Sequence, residues 1–203
     1  MIRRPVRTVL YPESLKLIGI PASMAEKSAE DIIVDSSARE KLKDFVLGYM
    51  KKINENFAKN VGLYFYGSNG TGKTFLLCLV LREAYRYRFT ARRITFAEYC
   101  KKYTKSWGAK SADERETYES ELYEFKAAEF LLLEEIGKGV ENSTTIPILE
   151  DLLRYREDKG YPTLFATNLR IEQVRELYGA SIYSLITGHC VPVKMEERDR
   201  RSD

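Results

Sequence analysis

The 203-residue chain is of a length that one core serves, and 44% hydrophobic with 31% charged residues is the balance of a folded domain, which excludes a disordered chain. Its 33 basic and 30 acidic residues leave a net charge of +3, too small by itself to mark a nucleic-acid binder. No apolar run approaches the roughly 20 residues of a membrane span, and the start, MIRRPVRTVLYPESL, has no secretion-signal stretch, so the expectation is a cytoplasmic protein without membrane attachment.

Residues 1–35 hold Pro5, Pro12 and Pro21 and little periodicity, which predicts an extended arm with short helical turns, suited to docking a partner. Ser37 and Glu40 then have capping-box spacing, and Leu42, Val46, Met50, Ile53 and Phe57 recur at helical intervals, predicting an amphipathic helix to about Asn60. Val61–Tyr66 is short, aromatic and ended by glycine, as a buried strand would be.

The segment that follows is Gly67, Ser68, Asn69, Gly70, Thr71, Gly72, Lys73 and Thr74, matching GxxxxGK[ST] between a strand and an apolar helix over 75–87. Glycines let such a backbone turn its amides inward, so that a row of N–H donors and a helix N-terminus meet phosphate charge. Lys73 would reach the β- and γ-phosphates of a nucleoside triphosphate, and the Thr74 hydroxyl would bind magnesium. ATP with Mg²⁺ is the ligand this loop predicts.

Beyond it, strands are expected at 93–96, 130–133, 163–166 and 190–194, and helices at 97–106, 112–126, 145–159 and 171–178. Strands alternating with helices imply an α/β fold, a parallel sheet covered on both faces. Lys101, Lys102 and Lys105 with Trp107 have the composition of a surface that contacts phosphates and stacks bases, although Tyr99, Tyr103 and Trp107 also have the spacing of a helix packed on the core. Further basic clusters are Arg3, Arg4 and Arg7, and Arg198, Arg200 and Arg201 in a charged tail at 196–203. Cys78, Cys100 and Cys190 are odd in number and far apart, pointing to inert buried thiols, not to a disulfide framework or zinc site.

Two strand ends carry further chemistry. Phe130–Leu133 leads into Glu134 and Glu135, placing two carboxylates where ligands sit in parallel sheets: Glu134 to hold the magnesium shell, Glu135 to orient or deprotonate an attacking water. Pro162 to Asn168 ends in a polar residue that can either touch the γ-phosphate or cap the next helix. A small-molecule kinase would need an arginine-rich lid after the acidic pair, where 138–160 reads as one packed helix with its lead-in.

Taken together, GSNGTGKT, LLLEEIGK and PTLFATNL in this order resemble the AAA+ ATPases of the DnaC/DnaI helicase-loader and IstB transposition-helper group, over about residues 15–195. The resemblance includes Ile20-Pro21, Gly137 and Leu177-Tyr178-Gly179. It implies a P-loop αβα sandwich in the AAA+ strand order without the helical lid, spanning 36–195, assembled as a homo-oligomer around nucleic acid. It also implies ATP hydrolysis with Asn168 as sensor, a single-stranded DNA path along 97–108, and a replicative helicase as partner, with a transposase as the alternative. Two departures stand out. Ser181 and Leu185 occupy the positions where loaders have arginines, so weak or partner-dependent hydrolysis is expected, with Arg170 or Arg175 as substitutes. A separate N-terminal helicase-binding domain is not expected either, only the arm.

Overall fold

In a computed structural model, residues 2–5, 10–138 and 144–195 are described; Arg7, the lead-in at 139–143 and the tail with Arg198, Arg200 and Arg201 lie outside them. Five strands form one sheet in the order β2-β3-β4-β1-β5, all pairs parallel: β1 (Gly62–Tyr66), β2 (Ala91–Thr95), β3 (Phe130–Glu134), β4 (Thr163–Thr167) and β5 (Cys190–Lys194). Alternate side chains serve two cores. Leu63, Phe65, Phe130, Leu132 and Leu164 face one side, while Tyr64, Leu131, Leu133 and Phe165 face the other. A sheet apolar on both faces must be covered on both, and the helices do so.

The first face is covered by α3 (Ser37–Lys51) and α5 (Lys73–Arg86), and the second by α6 (Phe96–Trp107), α7 (Ala112–Lys126), α8 (Thr145–Lys159) and α9 (Ile171–His189). Local chemistry starts α6 and α7. Thr95 and Glu98 close a capping box on α6, and the Ser111 hydroxyl accepts from the Glu114 amide at the start of α7.

Most strands and helices fall within two residues of expectation, although Phe96, expected to end a strand, opens α6; three differences change the packing. Ser36, not Ser37, caps α3, its hydroxyl accepting from the Arg39 amide at 3.2 Å. The long helix breaks at Lys52 (φ −100°, ψ 24°), after which α4 (Ile53–Ala58) redirects Phe57 onto Phe89 and Phe130. Helix α9 runs past 178, kinked at Gly179 (φ 86°, ψ 174°), and its second half buries Ile182 and Ile186.

The arm forms α1 (Pro12–Leu17), α2 (Ala22–Ala25) and a 3₁₀ turn at Ala29–Asp31. Its Leu15, Ile18, Ile20 and Ile32 are buried in the same core as α3 and α5. Ahead of them, Arg3 pairs with Glu129 and lies over the Phe89 ring at 4.2 Å.

Candidate nucleotide-binding site

Because every strand is parallel, the carboxyl ends of β1, β4 and β3 lie side by side at one edge, and the three sequence motifs that follow them converge there. The phosphate loop needs its glycines: Gly67 (φ 145°) runs so close to β5 that a Cβ would sit 2.8 Å from the Met195 carbonyl oxygen. Lys73 opens the 14-residue α5 and folds back over the loop. Its Nζ donates to the carbonyls of Gly67 (2.8 Å) and Ser68 (2.6 Å). Thr71, buried, ties the loop to itself by donating from Oγ1 to the Ser68 carbonyl at 3.1 Å.

A cleft of about 430 Å³ is lined by Asn69 to Thr74, Glu135, Lys138, Thr167 and Asn168, with Met24, Ile33 and Arg39 among the residues on its other side. The Asn168 amide donates to Asn69 Oδ1 at 3.0 Å, joining the end of β4 to the phosphate loop. The Asn168 amide thus meets the loop, while at the start of α9 the Arg170 amide is satisfied by Gln173. Glu135 is exposed, adopts φ 60°, donates its amide to the Ala166 carbonyl (2.8 Å) and pairs with Lys138 at 2.7 Å.

Glu134 is placed differently. It is 3% exposed, does not line the cleft, and pairs with Arg93 of β2 at 2.5 Å, leaving its Oε1 buried without a hydrogen-bond partner among the described residues. Thr74 Oγ1 and this unpartnered carboxylate oxygen are hard oxygen donors of the kind magnesium takes, so the donor set fits that ion. Two positive groups at the cleft escaped the sequence reading. Lys138 is one; Arg39 is the other, buried to 3% exposure, with Nη1 donating to the Thr71 carbonyl at 3.4 Å. The signal for Arg39 was present: it precedes Leu42 and Val46 on the apolar stripe of α3, where an arginine needs a reason.

The α6 cluster lies away from the cleft. Tyr99 is buried in the core and Trp107 is 60% exposed, its ring edge-on to Tyr103 at 5.1 Å, so core packing accounts for Tyr99 but not for Trp107. Lys101 and Lys105 are exposed, whereas Lys102 pairs with Glu121 at 2.5 Å. At the positions where the sequence departs from its resemblance, the Ser181 hydroxyl donates to Glu150 (2.7 Å) and accepts from Arg154 (2.8 Å), and Leu185 packs against the second core. Arg170 and Arg175 are exposed. All three cysteines are buried thiols, with burial pushing Cys78 and Cys190 up to about 12 and Cys100 to about 11. Among the described residues, no helix is long and apolar enough to cross a membrane.

No family profile matches the sequence. It is 21% identical over 200 residues to the replicative helicase loader DnaI of Bacillus subtilis (strain 168), covering 92% of this chain and 62% of that protein, so the chain spans less than two thirds of the relative's length. Among solved structures, the DnaC helicase loader superposes with a TM-score of 0.74 at 14% identity, covering 87% of this chain and 100% of that one. The replication initiator DnaA bound to AMPPCP and single-stranded DNA superposes with a TM-score of 0.68 at 15% identity, covering 96% of this chain and 53% of that one.

Proposed function

From the premise that this chain has the P-loop AAA+ fold of the DnaC/DnaI type, we propose that it binds ATP with magnesium and acts as a helicase-loader-like accessory ATPase on single-stranded DNA. The observation that carries the reading is the bond between Asn168 and Asn69. It joins a strand-end amide to the phosphate loop within the cleft that Thr74 and Glu135 also line, so one γ-phosphate would touch the groups that bind it and the groups that report on it.

In this reading the loop amides and Lys73 hold the β- and γ-phosphates, and Thr74 with Glu134 holds magnesium, which supplies charge neutralisation at the phosphates when bound. Glu135 orients the attacking water, and its strained backbone keeps the carboxylate at the cleft. Lys101, Lys105 and Trp107 on α6 contact single-stranded DNA. The exposed Tyr11, Leu17 and Val34 of the arm are available to a protein partner, and ATP-bound copies assemble on the DNA.

A second reading, an ATP-gated binding module that turns over slowly, is favoured by the engagement of Glu134 with Arg93 and of Ser181 with Glu150 and Arg154. The test is single-stranded DNA binding and association with a replicative helicase, each measured with and without ATP. The loader reading expects both to depend on ATP, with Trp107→Ala weakening DNA binding by about 1–3 kcal/mol while nucleotide affinity stays unchanged. Neither association, or full DNA affinity in Trp107→Ala, contradicts it. Duplex preference with stimulation of a transposase would move the chain to the transposition-helper alternative.

A further inference from the structure

Glu134 is two positions beyond Leu132, which is level with Arg93 in the β2–β3 register, so Arg93 and Glu134 form a diagonal cross-strand pair on the sheet face covered by α3 and α5. The pair is only half satisfied. Arg93 Nη2 meets Glu134 Oε2 at 2.5 Å, but Arg93 Nε and Glu134 Oε1 are both buried with no hydrogen-bond partner among the described residues. Buried polar networks left incomplete are poorly fixed, and a carboxylate oxygen without a donor is open to another cation.

Arg93 has one further anchor, and it lies on the arm: Nη1 donates to the Gly19 carbonyl at 3.1 Å. The arm can lie this close to β2 because residue 19 is glycine. It has φ 86°, and a Cβ there would stand 2.9 Å from the Arg93 carbonyl oxygen and 3.2 Å from the Arg93 Cβ.

We propose that Arg93 is a positioning residue that holds Glu134 as half of a neutral pair, and that the arm, through Gly19, seats Arg93 in that role. Arg93 and magnesium then compete for one carboxylate. While the arm is docked, Glu134 contributes little to metal binding; moving the arm, as a partner bound to its exposed face would, loosens Arg93 and frees the carboxylate for the metal. This rests on the nucleotide and magnesium reading above and names its regulation.

The test is titration of the whole chain with a fluorescent N-methylanthraniloyl derivative of ADP, in EDTA and in excess magnesium. The quantity read is the factor by which magnesium tightens binding. Removing a fixed positive charge beside the metal ligand with Arg93→Met raises this factor at least about tenfold, while Arg93→Lys, which keeps the charge, leaves it near the wild-type value. Adding Glu134→Gln to the Arg93→Met background abolishes the gain, and a double variant that keeps the gain overturns the proposal. Gly19→Ala moves the factor in the direction of Arg93→Met; an unchanged factor overturns the arm's part. A factor in Arg93→Met at or below the wild-type value overturns the proposal. Where Arg93→Met fails to fold, Arg93→Gln, which also removes the charge, is read in its place with the same two outcomes. Absence of binding in both EDTA and magnesium by a folded chain overturns the nucleotide reading itself, and this inference with it.

Discussion

At φ 60°, Glu135 occupies the left-handed region that a non-glycine residue adopts only when its surroundings over-determine it, here through its amide's bond to Ala166 and its pairing with Lys138. In the nucleotide-binding reading, a residue held so at this cleft is suited to act on a water more than to bind phosphate. Glu135→Gln is therefore expected to leave ATP affinity within about twofold while lowering phosphate release by about a hundredfold or more; comparing equilibrium titration with steady-state turnover checks both halves. The buried thiols, pushed up to about 11 and 12, are almost wholly protonated at pH 8. Ellman's reagent at that pH should stay silent until urea unfolds the chain.

At this scale, the residues legible in the sequence were those whose neighbours in the chain define them. The spacing of Gly67, Gly70, Gly72 and Lys73 encodes a backbone path, and that path alone implies phosphate. Arg93 and Arg39 were missed because their meaning comes from groups far along the chain: Glu134 and Gly19 for one, Thr71 for the other. Two adjacent arginines in the five-residue β2 were nonetheless a signal, since a charge within a sheet calls for a partner.

Among the elements, α8 is fixed by a feature with no counterpart in hydrophobic patterning. Arg156 is 1% exposed, and its guanidinium donates to Thr163 Oγ1 and to the carbonyls of Lys126, Ala128 and Pro162. Burial pulls its pKa down to about 9, so it remains charged at neutral pH while it ties α8 to the segments that lead into β3 and β4. Arg156→Met strips those acceptors of their donor in a dry interior, and a loss of about 3–5 kcal/mol is expected from urea denaturation at pH 7. An unchanged midpoint would mean that the acceptors find other donors. The bounds expected for α7 and α8 match the helices, with Ser111 capping the first and Gly160 (φ 66°) ending the second. The continuation of α9 beyond Gly179 was not, because glycine ends a helical pattern in the sequence, whereas Ile182 and Ile186 resume the buried face after the kink.

For the whole molecule, the alternation of strands and helices was enough to predict a parallel sheet between two helical layers. The order of its strands was not in the periodicity; it came from the resemblance that three motifs carry together. That order does the functional work of the fold, since it sets β4 between β1 and β3 and thereby brings Asn168, the phosphate loop and the acidic pair to one edge. The arm, read from the sequence as an extended segment with short helical turns suited to docking a partner, contributes Leu15, Ile18 and Ile32 to the core of the domain and touches Arg93, the partner of Glu134. The most direct test of the account is calorimetric titration of magnesium ATP into the chain and into its Lys73→Ala variant. The account predicts saturable binding weakened by about 2–3 kcal/mol, or some thirtyfold or more, when the lysine is removed; binding of equal strength in both, or none in either, would contradict it.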